Sequence, residues 1–207
     1  HARRWYGESD QALPGYYLAS AGLGKVAAAH GDYDEAIRRY EALVAQLPQP
    51  NFLAALGDYY ALSGDPAAAQ KQYDTVAFIH QLDETQQVLY NRQVAIFFAN
   101  HNIETDTAVA YAEGELAARQ DIYAYDTLAW ALYRAGRLDE AAAASQRALA
   151  QGTPDAALYY HAGMIAAARG DTPTAIAQLQ RALDLNPNFD LLQARQAAAT
   201  LTTLQGE

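Results

Sequence analysis

A short motif recurs along the chain at nearly constant spacing, and no other feature narrows the choice of fold as far. Gly31-Asp32-Tyr33-Asp34-Glu35-Ala36, Gly64-Asp65-Pro66-Ala67-Ala68-Ala69, Gly136-Arg137-Leu138-Asp139-Glu140-Ala141 and Gly170-Asp171-Thr172-Pro173-Thr174-Ala175 line up, with their glycines 33, 72 and 34 residues apart. Since 72 is twice 36, a fifth, degenerate unit belongs in the gap. A period of this size marks stacked supersecondary units. A helix-forming, largely apolar stretch precedes each glycine, and a second one follows it to a break at Pro48, Gln81, Thr153-Pro154 or Pro187.

The chemistry of one unit follows from its residue types. Glycine supplies the left-handed conformation that ends a first helix. Asp32, Asp65 and Asp171 can accept the free N–H groups that open the second. Small residues at Gly24, Gly57, Ala129 and Gly163 permit close helix crossing. Ala36-Tyr40-Leu43, Ala69-Tyr73-Val76 and Ala175-Leu179-Ala182 place one apolar stripe on each second helix. More than a fifth of the 207 residues, 47, are alanine, the best helix former. No stretch alternates at period two, so a β-rich fold is excluded.

Composition excludes several function classes. The chain has no Cys, which removes disulfides, thiolate metal sites and Cys nucleophiles. Its net charge of −10, without a basic stripe, disfavours nucleic acid. The longest apolar run, Val94 to Ala99, falls far short of the roughly 20 residues of a membrane helix, so no membrane insertion is expected. His1 in place of an initiator Met points to a processed or trimmed product, and the compartment stays open between cytoplasmic and, after removal of an export signal, extracytoplasmic.

Leu56-Gly57-Asp58-Tyr59-Tyr60, followed by Ser63-Gly64-Asp65, Ala69 and Tyr73, resembles the tetratricopeptide repeat, as do Asp126 to Leu132 with Gly136 to Ala141, and the ending Ala182-Leu183-Asp184-Leu185-Asn186-Pro187. The resemblance implies an all-α fold, a right-handed α–α superhelix of about five helix-turn-helix repeats over 16–188. The third repeat, about 85–118, is degenerate, with Phe97 to Asn102 in place of the glycine turn. Residues 1–15 read as an extension or partial repeat, and 189–207 as a C-terminal capping helix covering an exposed apolar end. Helices are expected at 16–30, 33–46, 50–63, 66–80, 85–100, 104–118, 122–135, 138–151, 155–169, 172–185 and about 189–204, with 81–85 a connector.

Neither a catalytic nor a metal site is expected, and no cofactor. The five histidines His1, His30, His80, His101 and His161 lack ligand spacing. His101, Glu104 and Asp106 read as a solvated turn, and His161 beside Tyr160 as a hydrogen-bonded packing residue. Gly22-Leu23-Gly24-Lys25-Val26 fails as a phosphate loop, because Ala19 and Val26 stand where Gly and Ser or Thr are needed. Asp34-Glu35 and Asp139-Glu140 complement helix N-termini.

The resemblance also implies a concave groove lined by first helices. The residues on that stripe are Lys25, Asn51, Asp58, Tyr90, Gln93, Phe97, Asn100, Tyr123, Asp126, Trp130, Tyr133, Tyr160 and Met164. The later repeats bring aromatics, with Trp130 and Tyr133 expected as the interface anchors and packing as ordinary core the alternative. Members that hold the acidic tail of heat-shock chaperones use a Lys, Asn and Arg clamp on this stripe. Lys25 is the one basic residue here, so that ligand is not expected. The reading is a non-catalytic scaffold for a protein or peptide partner, either apolar and aromatic or basic and drawn to Asp58 and Asp126. A regulatory or targeting domain of a larger protein, and a small-molecule sensor with a site near Tyr160 and His161, stand as alternatives. Self-association through ends or groove is left open.

Overall fold

Twelve helices and no strand make up the regular structure of the described residues, which are 2–13, 16–85 and 91–206 of this computed structural model. They divide between two units, residues 1–88 and 89–207. The first unit contains α1 (Ala2–Ala12), α2 (Tyr17–Ala29), α3 (Tyr33–Gln46), α4 (Pro50–Ser63) and α5 (Pro66–Thr85). The second contains α6 (Asn91–His101), α7 (Thr105–Ala118), α8 (Ile122–Arg134), α9 (Leu138–Leu149), α10 (Ala156–Ala168), α11 (Thr172–Leu185) and α12 (Leu191–Gln205). Within each, consecutive helices pack as pairs, giving an all-α helical-repeat fold.

The helix starts are set by the aspartates. Asp32, Asp65 and Asp171 each accept the backbone N–H three residues on, from Glu35, Ala68 and Thr174 at 3.2, 2.9 and 3.2 Å. Asp121, Asp155 and Asp190 do the same work at the starts of α8, α10 and α12. Each such cap contributes about 1 kcal/mol.

Five inter-helix turns close with one bond pattern. The N–H after the turn residue donates to the carbonyl five positions back: Asp32 to Ala27, Asp65 to Tyr60, Ile103 to Phe98, Arg137 to Leu132 and Asp171 to Ala166. Gly64 adopts φ 92°, where a Cβ would be strained. In the degenerate unit Asn102 takes the glycine's place at φ 55°, followed by Glu104 at φ 42°. Asn tolerates this region because its short amide bonds locally. The turn therefore persists without its glycine.

One segment differs from the sequence expectation. Residues 81–85 continue α5 to Thr85 and are not a connector, since neither Gly nor Pro interrupts Gln81-Leu82-Asp83-Glu84-Thr85. The N-terminal segment forms α1, whose Tyr6 ring lies where a Cβ on Gly22 would stand, 2.4 Å from it at the nearest atom. Gly22 is thus a packing glycine inside α2.

In the first unit the core centres on Tyr40, which is fully buried and meets Tyr59 edge-on at 4.9 Å. In the second it centres on Trp130, Leu158, Tyr160, Ile165 and Leu179. Both are assembled through one crossing device, in which Gly24 faces Tyr40, Gly57 faces Tyr73 and Gly163 faces Leu179. The Gly163 crossing is the least forgiving. A Cβ there would lie 2.7 Å from Leu179 Cγ and 3.1 Å from its backbone nitrogen. Gly163→Val is expected to cost about 3 kcal/mol by overpacking. The check is the urea midpoint followed by circular dichroism; an unchanged midpoint would show that α10 and α11 do not cross at this spacing.

Candidate functional site

The inner-stripe residues divide sharply by exposure. In the first unit Lys25 on α2 and Asn51 on α4 are exposed, while Asp58 is half-buried and accepts the Tyr73 phenol at 2.8 Å. In the second unit Gln93 is exposed and Tyr123 keeps 40% of its surface, with the Arg92 guanidinium 5.5 Å from its ring centre. Asn100 and Tyr133 are half-buried; Phe97, Asp126, Trp130, Tyr160 and Met164 are buried. Tyr90 lies outside the described residues.

The structure joins five of these through α6, α8 and α10, and adds residues from α12. Trp130 Nε1 donates to Asn100 Oδ1 at 2.8 Å. Its indole lies within 18° of parallel to both Tyr133 and His161, at centroid distances of 4.9 and 4.3 Å. His161 Nδ1 donates to the Asp126 carboxylate, 2.9 and 3.0 Å from its two oxygens. Tyr160 donates its hydroxyl to Gln196 Oε1 at 3.0 Å and packs against Phe189 at 5.5 Å. Gln193 Nε2 reaches the same Asn100 oxygen that Trp130 uses, at 2.8 Å.

Burial, followed by the neighbouring Tyr133, raises the Tyr160 phenol above its ordinary value, so it stays a donor through the neutral range. His161 Nε2 and Arg134 Nε are the buried side-chain polar atoms that find no partner among the described residues. Because Nε2 is enclosed, the Asp126–His161 pair fixes the ring in the layer and does not offer a base to solvent. Trp130, 1% exposed, is packed in this layer and offers almost no contact area of its own, which removes it as the exposed anchor that the sequence suggested.

His161 is legible in the sequence as a packing histidine, but Gln193, Gln196 and Phe189 give no signal there, because each acts on helices distant in sequence. His101 closes α6 with Nδ1 2.8 Å from the Phe97 carbonyl oxygen, and Glu104 and Asp106 stand at the start of α7. Among the described residues no three His, Asp or Glu side chains converge as a metal site would need, and no helix is long and apolar enough to cross a membrane.

Similar folds occur in solved structures. One is a chain of the APC/C hetero-tetramer Cut9–Hcn1, with 19% identity and a TM-score of 0.54, over 98% of this chain and 38% of that one. Another is TTC0263, a thermophilic TPR protein of Thermus thermophilus, with 20% identity and a TM-score of 0.55, over 89% of this chain and 98% of that one. No curated protein matches the chain. The tetratricopeptide repeat pattern matches residues 22–81 and 127–188, together more than half of the sequence. With that match and the paired-helix architecture, the chain belongs to the tetratricopeptide repeat family.

Proposed function

We propose that the protein is a non-catalytic binding module that receives a segment of a protein partner on the inner faces of its repeats. In this reading residues 16–188 are the binding repeats, with the third, about 85–118, degenerate, and 189–207 close their end. The observation that carries the proposal is Tyr123. It stands 40% exposed on α8, with Arg92 over its ring, while most of the aromatic stripe around it is packed. A large aromatic held in place by a neighbour yet open on one side is the usual form of an interface anchor. In this reading exposed Gln93 on α6 and half-buried Tyr133 on α8 extend the surface, and Lys25, Asn51 and Asp58 mark the corresponding face of the first unit.

The acids favour an apolar or aromatic partner over a basic one. Asp126 is buried against His161, and Asp58 already accepts the Tyr73 phenol. Neither is a free charge waiting for a cation.

Peptides selected from a random display library on the immobilised chain test this. They are expected to lose about 30-fold in affinity on Tyr123→Ala, a hot-spot loss of about 2 kcal/mol. Tyr125→Ala, on another face of the same helix against Arg147, should leave binding unchanged. Selected peptides that bind both variants like the parent would remove the inner face from the proposal.

A further inference from the structure

Between the second helices α9 and α11 lies a hollow of about 210 Å³ whose floor is α10. Ala162, Ile165 and Ala166 line that floor, on the side of α10 opposite Tyr160 and Met164. Ala142, Ser145 and Gln146 line the α9 wall, and Gln178 lines the α11 wall. Ser145 is 6% exposed, yet its hydroxyl makes no hydrogen bond among the described residues. A buried hydroxyl without a partner is uncommon and calls for one. The Gln146 and Gln178 carboxamides are likewise unengaged among the described residues, whereas Gln70 and Gln180 each bond an aspartate on their own helix.

The equivalent place in the first unit is built differently. With Gly24 aligned to Gly163, Val26 and Ala27 on α2 stand where Ile165 and Ala166 stand on α10. Glu35 and Arg39 on α3 stand where Thr174 and Gln178 stand on α11. Glu35 accepts from Arg39 at 2.6 Å and also pairs with Arg38, and the space left is about 100 Å³. In the second unit the two charged positions are neutral and the space is larger, about 210 Å³. The crevice between helices is therefore common to both units, but only the second leaves it open with its polar groups unspent.

We propose that this hollow is a second binding site, which takes a tyrosine side chain from an extended, uncharged stretch of a partner polypeptide. Its volume lies below the roughly 300 Å³ at which sites for whole small ligands begin, and suits a single ring. The alanine methyls and Ile165 bury the faces of that ring, and a phenol both donates and accepts, as the Ser145 hydroxyl requires. Phenylalanine would leave that hydroxyl stranded. The charges nearby favour neither sign: Arg169 is held by Asp139 at 3.0 Å, and Asp171 accepts the Thr174 N–H at 3.2 Å. Gln146 and Gln178 on facing walls each bring a donor and an acceptor for the main-chain amides that flank the ring, which a free phenol lacks. The site shares no residue with the Tyr123 surface, so neither reading depends on the other.

The probes are two blocked pentapeptides, Gly-Gly-Tyr-Gly-Gly and Gly-Gly-Phe-Gly-Gly, and free p-cresol, each titrated into the isotope-labelled chain and followed by amide NMR shifts. The tyrosine peptide is expected to shift the amides of Ala142, Ser145, Ala162 and Ala166 saturably. It should bind about fivefold more tightly than the phenylalanine peptide, the worth of one hydrogen bond. Ser145→Ala should erase that preference, and Ala142→Leu, which occupies the hollow, should abolish the shifts. Gln146→Ala/Gln178→Ala should weaken the tyrosine peptide and leave p-cresol unchanged, while Tyr123→Ala should alter none of these. Absence of saturable shifts at the lining amides, or equal affinity of the two peptides for the parent chain, would overturn the proposal. Binding of p-cresol as tight as that of the tyrosine peptide would overturn the polypeptide assignment. Should Ala142→Leu fail to fold, as circular dichroism would show, the peptide comparison on the parent chain and on Ser145→Ala decides alone.

Discussion

Trp130→Ala is expected to lower the stability of the chain by about 4 kcal/mol, the range for removing a buried Trp. The size follows from how many elements share this one side chain. Its ring is 1% exposed, lies near-parallel to Tyr133 and His161, and donates its N–H to Asn100. Truncation opens a cavity between α6, α8 and α10 and removes one of the two donors on the Asn100 oxygen. Trp130→Phe keeps an aromatic plane and loses the donor, so it should cost less, about 1–2 kcal/mol. Trp5, 64% exposed, is the control, and Trp5→Ala should stay within about 0.5 kcal/mol of the parent. Urea unfolding followed by circular dichroism measures all three. A Trp130→Ala loss below about 1.5 kcal/mol would show that the indole is not part of the packed layer.

Asp126→Ala should cost about 3 kcal/mol, and the physics differs. Here no large volume is lost. The carboxylate is removed from a histidine 3% exposed, leaving Nδ1 with its donor capacity unmet beside an Nε2 that already lacks a partner. The diagnostic is the double substitution Asp126→Leu/His161→Leu. If the pair is held at a net desolvation cost, the double variant should recover most of the loss, since no polar atom is then stranded. A double-mutant cycle through the single variants Asp126→Leu and His161→Leu measures the coupling, expected at about 2 kcal/mol. Additive single effects would mean that the two side chains do not act as a pair.

The local grammar of the repeat is legible in the sequence because it depends on neighbours along the chain. Asp32, Asp65 and Asp171 are readable as caps since an N-cap acts only three residues on, and the glycine turns are equally local. The Gly57–Tyr73 and Gly163–Leu179 crossings can be anticipated from small residues and a repeating stripe. The continuation of α5 through 85 is less legible, because a missing breaker is weaker evidence than a present one. The surroundings of the expected stripe lie beyond reach for a different reason. Periodicity says that Trp130, Asp126 and Tyr160 share a face with Tyr123, but it does not say what comes to rest on it. Burial there depends on Phe189, Gln193 and Gln196, and on His161 meeting Asp126 from 35 residues away. Such contacts are decided by how far successive helices rotate, which no single repeat encodes.

The three glycine crossings carry a consequence for how such an array can change. At Gly24 and Gly57 the opposing residue is a tyrosine, and each phenol has its own acceptor, the Ala21 carbonyl at 3.3 Å and Asp58 at 2.8 Å. At Gly163 the opposing residue is Leu179, which asks for none. Helix pairs that look interchangeable in sequence are therefore keyed. Transplanting the second helix of an early repeat behind α10 would bury a hydroxyl with no acceptor provided for it, and the reverse exchange would remove the Tyr73 phenol from Asp58. Duplication of these repeats can lengthen the array only when both halves of a pair are copied together.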